Sequence, residues 1–269
     1  MDGGRVIDLI PKKSLGQHWL NDQPTLKKIV NYAKVTKHDY VLEIGPGLGS
    51  LTSLISDQAG KVLAVEIDEI LFNNLKLLNN KDNLDFVNQD ILKFDFTQLP
   101  KDYKLVANIP YYLTAHLIRL LVESTNSPFK IVLLVQREVA DRIAAKPGSM
   151  STLSVVVQQY YEVEKKEVVL AKMFTPPPKV DSQILVLSKR KRPVVKTDDD
   201  KELFRLVRIG FSARRKTLEN SLSNGLRQDK AKIKHLISQA SLDSKVRAQM
   251  LSLEDWGRLF KVFKASNLG

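Results

Sequence analysis

Between residues 40 and 135 short apolar runs alternate with stretches of helical period, and this alternation limits the possible folds more than any other feature of the chain. Tyr40 to Ile44, Val62 to Val65, Leu84 to Val87, Leu105 to Ala107 and Ile131 to Val135 are the apolar runs. Each has strand length and is largely free of polar residues, as strands buried on both faces are. Between them, Ile70 to Leu78 and Ala115 to Val122 carry leucines at helical spacing. A strand–helix–strand series predicts a parallel sheet, and right-handed crossovers place helices on both of its faces. In open sheets of this kind ligands bind beyond the C-terminal ends of the strands, so the residues that follow each run are the candidates for a site.

The first run passes into Gly45-Pro46-Gly47-Leu48-Gly49, a turn in which the backbone can approach a ligand closely at the start of the following helix. The second ends at Glu66, 21 residues after Gly45, where a carboxylate can accept two ribose hydroxyls. Asp90 follows the third run and can accept from an adenine amino group. Together these residues describe an adenosine-shaped site. Ser50 stands where a dinucleotide fingerprint has its third small residue, so a nicotinamide oxidoreductase stays open as a rival without being favoured. No Gly-x-x-x-x-Gly-Lys-Ser/Thr is present, so a P-loop NTPase lacks its usual signature.

The fourth run ends in Asn108-Ile109-Pro110-Tyr111. Pro110 cannot donate to a ladder, so the chain leaves the sheet there. Asn108 offers a carboxamide oxygen, the proline fixes the direction of nearby carbonyls, and Tyr111 offers a stacking face. Those groups suit a flat, amino-bearing base; an Asx turn beside a core tyrosine is the plainer alternative.

The net charge of +12 is placed unevenly: residues 1–181 sum to +1 and residues 182–269 to +11. A basic module joined to a neutral one suggests a polyanion, most simply nucleic acid, as partner. Two later runs, Leu153 to Tyr161 and Gln183 to Leu187, are expected to be strands that close the sheet with an antiparallel edge; the loop between them holds Phe174 and Pro176-Pro177-Pro178. The charged, proline-broken segment from Lys189 to Asp200 places the domain boundary at 190/191, with helical periodicity beyond it through Leu203, Ile233 and Trp256. The expected domains are therefore 1–190 and 191–269. The chain contains no cysteine, and its four histidines match no ligand spacing, so no metal is expected. No run reaches the roughly 18 apolar residues of a membrane span. The first residues, with Asp2, Arg5 and Asp8, lack the apolar stretch of a secretion signal, so the expected location is cytoplasmic.

Several segments resemble the ribosomal RNA adenine N6-dimethyltransferases of the small-subunit branch, whose loss gives kasugamycin resistance. They are Lys13-Ser14-Leu15-Gly16-Gln17-His18-Trp19-Leu20, the glycine turn, Val65-Glu66-Ile67-Asp68, Gln89-Asp90-Ile91, Asn108-Ile109-Pro110-Tyr111, Leu153-Ser154-Val155, Phe174 to Ser182, and Phe211 to Leu218. The last two are the more specific for that branch. The chain departs from the family pattern in two places: His18-Trp19 replaces Asn-Phe, and Ser151-Thr152 replaces Tyr-Gly.

The resemblance implies a Rossmann-like class I methyltransferase α/β fold with a mostly parallel sheet and a small all-helical C-terminal domain that binds RNA. It implies S-adenosylmethionine at His18, Leu20, Gly45, Gly47, Glu66, Asp90 and Asn108. On this reading Asn108 and a carbonyl of Ile109 or Pro110 accept the protons of the target amine, Tyr111 and Phe174 stack on the base, and Arg214, Arg215 and Lys216 contact phosphates. The implied substrate is small-subunit rRNA within a ribosomal particle, acted on by a monomer with no membrane involvement. A large-subunit rRNA methyltransferase conferring macrolide resistance and a non-catalytic RNA-binding assembly factor are the rivals.

Overall fold

A computed structural model describes residues 10–266; Asp2, Arg5 and Asp8 lie outside that range. Among the described residues no helix is long and apolar enough to cross a membrane. The chain divides into two compact units, one of residues 1–137 and 165–187, the other of residues 138–164 and 188–269.

The first unit contains β1 (Trp19–Leu20), α1 (Gln23–Ala33), β2 (Tyr40–Ile44), α2 (Ser50–Gln58), β3 (Lys61–Glu66), α3 (Glu69–Leu78), β4 (Leu84–Asn88), β5 (Lys104–Asn108), α4 (Thr114–Glu123) and β6 (Lys130–Gln136). All five expected strands and both expected helices are present. Their pairing is parallel throughout, with Leu42 opposite both Leu63 and Leu105, Val65 opposite Val87, and Val106 opposite Val132. Val41, Leu42, Val62, Leu105, Val106 and Ile131 to Val135 are buried, which accounts for the unbroken apolar runs: helices cover both faces, so no position is left for a polar side chain. The exceptions are Glu43 in β2, Glu66 at the end of β3 and Lys104 in β5, whose buried ammonium donates to Asp39 Oδ2 at 2.8 Å and to the Lys34 carbonyl at 2.6 Å. That pair sits at the N-terminal end of β5, away from the strand ends that matter for ligands.

The sheet has the order β4-β3-β2-β5-β6-β9-β7, where β7 is Tyr161–Val169 and β9 is Ser182–Lys189. From β2 the chain steps outward through β3 to β4, then returns to the other side of β2 to lay down β5 and β6. The order therefore reverses between β2 and β5, and a crevice opens beyond their C-terminal ends. A separate two-stranded ribbon pairs β1 with β8 (Phe174–Thr175), antiparallel, and ties the N-terminal segment to the proline-rich loop.

Two expectations fail here. Leu153 to Tyr161 is not a strand but α6 (Thr152–Tyr160), preceded by α5 (Arg137–Ile143). The valine run suggests β structure, yet Ser151 caps the helix, its hydroxyl accepting from Ser154 N while Ser154 Oγ accepts from Ser151 N at 2.7 Å. That reciprocal cap, together with burial of Val155, Val156 and Val157, overrides the weak strand preference. The edge strand that pairs with β9 begins where the expected one ends, at Tyr161. The single division at 190 is also replaced, because residues 138–164 pack with the helical unit and the chain crosses between units three times.

That second unit holds α6 with α7 (Asp200–Gly210), α8 (Leu218–Leu226), α9 (Lys230–Gln239) and α10 (Leu253–Ala265). Trp256 is fully buried at its centre, against Phe211 at 5.7 Å and over Gly210, where a Cβ would come within 2.5 Å of the indole. Gln159, also fully buried, accepts from Val195 N at 2.9 Å and donates to Val195 O at 2.8 Å, pinning the segment that enters α7. Gln159→Leu strands both main-chain groups without partners, at a cost of about 2–4 kcal/mol. Urea unfolding should show that loss, and an unchanged midpoint would remove Gln159 from the elements that hold this unit together.

Candidate functional site

The crevice beyond the strand ends is a cavity of about 200 Å³ lined by residues from the N-terminal segment, the glycine turn and the loops after β3, β4 and β5. It brings together His18, Leu20, Gly45, Gly47, Glu66, Asp90, Asn108, Pro110 and Tyr111. Arg214, Arg215 and Lys216 lie in the helical unit, exposed, in the turn that leads into α8.

Glu66 is 4% exposed, and its two oxygens are aimed by the backbone: Oε2 accepts from Gly47 N at 3.2 Å and Oε1 from Asp68 N at 2.9 Å. Burial raises its pKa, opposed by those amide donors. Gly47 can make its bond because its φ of +59° is in the left-handed region that a side chain disfavours. Asp90 accepts from Leu92 N at 3.0 Å and so caps a short helical turn, which fixes its carboxylate at the cavity wall.

Asn108 Nδ2 donates to the His18 carbonyl at 3.1 Å, so the carboxamide has a set orientation, with Oδ1 as the oxygen left to accept. The Tyr111 hydroxyl pairs with Ser182 Oγ at 2.7 Å, and its ring stacks on His18 with centroids 5.9 Å apart. Burial raises the Tyr111 pKa, with the Ser182 hydrogen bond opposing. His18 Nδ1 is 2.7 Å from the Pro176 carbonyl. A carbonyl only accepts, so Nδ1 carries the proton. The Pro110 carbonyl accepts from Leu113 N at 3.1 Å.

Phe174 does not line the cavity. It is 3% exposed, packed in the core with its backbone opposite Leu20, so its ring offers no face to a base in this arrangement. The aromatic exposed at the mouth is Tyr112, at 65%.

Three features had no clear signal in the sequence. Residues 12–20 form a strap along the cavity, fastened where Asp68 accepts from Lys12 Nζ at 2.8 Å, Gln17 Nε2 at 3.1 Å and Ile70 N at 3.0 Å. Burial would raise the Asp68 pKa, but these donors and the Lys12 charge bring it below the usual carboxylate range. The second is Ser182, whose role appears only once β9 lies beside the β5 loop. The third is Glu43, on β2 and 1% exposed, with neither oxygen hydrogen-bonded; the Thr52 hydroxyl beside it also lacks a partner of good geometry. Burial pushes the Glu43 carboxyl up to about 8, and the Glu66 charge adds to the effect. Among the described residues no cluster of three or more His, Cys, Asp or Glu is placed to hold a metal ion.

The sheet order, with these side chains spaced along its edge, is that of the class I methyltransferases. More narrowly, the chain matches the family model of the ribosomal RNA adenine dimethylases over residues 10–265, and it belongs to that family. It is 40% identical to the ribosomal RNA small subunit methyltransferase A of Streptococcus equi subsp. zooepidemicus, over 96% of this chain and 93% of the relative. It is 42% identical to the protein of the same name from Bacillus pumilus, over 94% and 91%. Among solved structures it is similar to a dimethyladenosine transferase from Plasmodium falciparum, with a TM-score of 0.81, 30% identity, and coverage of 92% and 98%. It is also similar to the 23S rRNA methyltransferase ErmE, with a TM-score of 0.74, 27% identity, and coverage of 91% and 99%.

A buried carboxyl that titrates near 8 has a consequence for stability. The folded pKa of Glu43 lies above the ordinary value of 4.5, so its contribution is intact below pH 4.5 and is lost as the pH rises towards 8. The wild-type protein should therefore lose a few kcal/mol relative to Glu43→Gln between pH 5 and 8. Parallel pH–stability curves for the two proteins would show that Glu43 is already ionised in the fold.

Proposed function

We propose that this chain transfers methyl groups from S-adenosylmethionine to N6 of two adjacent adenosines in a hairpin loop near the 3′ end of 16S rRNA, giving N6,N6-dimethyladenosine during small-subunit biogenesis. Family membership and the names of the curated relatives support the choice of small-subunit RNA. The observation that carries the chemistry is the fixed carboxamide of Asn108, pinned through Nδ2 and left with Oδ1 as acceptor.

The methyl donor fits the residues present. Glu66 has its oxygens set by two backbone amides beside the glycine turn, which suits a ribose diol, and Asp90 is held one strand further out for the adenine. His18, Leu20, Gly45 and Gly47 close the remaining walls. When bound, the donor supplies an electrophilic methyl group on a sulfonium.

The adenine N6 lone pair is delocalised into its ring, so it has to be localised to attack. Asn108 Oδ1 accepts one amino proton. A main-chain carbonyl of Ile109 or Pro110 accepts the other; that of Pro110 already takes one bond from Leu113 N and keeps a second lone pair. Holding both protons favours a more pyramidal nitrogen aligned with the methyl, which is catalysis by position and electrostatics. The methylated product then loses its proton to water without a dedicated base. Tyr111, braced by Ser182 and His18, supplies a stacking face, which recovers about 1–3 kcal/mol of the cost of taking the base from its stack. The buried position of Phe174 argues against a second stacking face from that residue.

Exposed Arg214, Arg215 and Lys216 serve as phosphate contacts in this reading, in keeping with the +11 of residues 182–269. The same reading makes the protein a cytoplasmic monomer that acts on a small-subunit particle.

Labelled methyl transfer to unmethylated small subunits, followed by nucleoside mass spectrometry, tests the assignment. Dimethyladenosine at two adjacent positions near the 3′ end is expected; transfer only to naked 23S rRNA would point to the large-subunit activity instead. Asn108→Ala should lower turnover by at least about 100-fold, the scale of removing one hydrogen bond made in the transition state, with RNA affinity nearly intact. Wild-type-like turnover in that variant would sink the mechanism. Reversing the charge of Arg214, Arg215 and Lys216 should flatten the salt dependence of RNA binding by about 0.7–0.9 in log–log slope for each phosphate no longer neutralised. An unchanged slope would take them out of the interface.

A further inference from the structure

Trp19 stands in the strap, pairs through its backbone with Thr175, and lines the cavity. The edge of its indole that carries the N–H is set against the glycine turn: a Cβ added at Gly47 would meet the indole Cδ1 at 3.2 Å and Nε1 at 3.3 Å. That nitrogen is closed off from solvent and has no hydrogen-bond partner. An indole N–H is a donor only, and a buried donor without an acceptor is a standing cost to the free protein. A ligand oxygen that reaches the nitrogen as the indole turns off Gly47 would relieve that cost.

We propose that Trp19 is a specificity residue for the amino-acid end of the methyl donor, its indole N–H donating to the α-carboxylate. The inference rests on the reading of the cavity as an S-adenosylmethionine site. Strand order decides which end of the ligand lies there. Asp90 follows β4, Glu66 follows β3, the glycine turn follows β2 and Asn108 follows β5, in that order across the sheet. With adenine at Asp90 and ribose at Glu66, the amino-acid portion falls at the glycine turn, beneath Trp19 and next to the Asn108 loop. Of the polar groups at that end, the ammonium is a donor and the sulfonium is a cation, so only the carboxylate can accept from the indole. A phenylalanine at this position would fill similar space but has no donor.

The test is calorimetric titration of wild type and Trp19→Phe with two ligands, S-adenosylhomocysteine and 5′-methylthioadenosine, the second lacking the amino-acid end. Trp19→Phe should weaken S-adenosylhomocysteine about tenfold, the scale of a hydrogen bond to a charged group, and leave methylthioadenosine within about twofold. Equal affinity of both proteins for S-adenosylhomocysteine would overturn the proposal. So would a matching loss for both ligands, which would mean that the indole acts through packing. If the wild-type protein binds neither ligand, the reading of the cavity falls as well, and the result is distinct from the other two.

Discussion

Strand β2 is paired in parallel along both edges, Val41 to Ile44 lying opposite Val62 to Val65 on one side and Lys104 to Ala107 on the other. Because both neighbours run the same way, the chain has to leave β2 at the same end at which it leaves β3 and β5. The loops that follow are therefore gathered at one edge of the sheet, and the reversal of strand order keeps a helix from filling the space between them. The glycine turn, Glu66 and Asn108 come from three separate loops, yet they face one cavity for this single reason.

Backbone groups then do much of the aiming. Glu66 is oriented by the amides of Gly47 and Asp68, Asp90 by the amide of Leu92, and Asn108 by the carbonyl of His18. Such partners are difficult to lose by mutation and hold a side chain with little freedom. The strap adds a second layer, since the residue whose carbonyl orients Asn108 also stacks on Tyr111 and reaches Pro176 through its ring. His18 thus joins the cavity wall, the Asn-Ile-Pro-Tyr loop and the proline-rich loop.

The cavity also contains groups whose hydrogen-bonding capacity is unmet. The Trp19 indole nitrogen and both Glu43 oxygens are buried without partners, and Glu43 sits in the strand that organises the sheet. In a folded protein such groups are expected to be paired, and each unpaired one calls for a physical explanation. By contrast, Glu66, Asp90, Asn108 and Tyr111 each have a partner within the chain.

The four inner parallel strands were legible in the sequence because both their faces are buried, which forces continuous apolar runs that local pattern records directly, and the half-buried edge strand β4 keeps Leu84, Phe86 and Val87 as a shorter trace of the same pattern. The glycine turn, the spacing to Glu66 and the Asn-Ile-Pro-Tyr loop were legible for a related reason: chemistry at a strand end needs particular residue types at nearly fixed distances along the chain. The helix over Thr152–Tyr160 was hidden, because three valines suggest a strand and the deciding cap depends on two serines and on tertiary burial. The grouping of residues 138–164 with the C-terminal helices was equally invisible, since it joins segments far apart in the chain. The burial of Phe174 and the pairings of Asp68 with Lys12, Tyr111 with Ser182, and Asn108 with His18 were likewise decided only by the tertiary structure. Periodicity and short motifs report what a residue does with its sequence neighbours, whereas these pairings form only after the sheet has brought distant loops to a common edge.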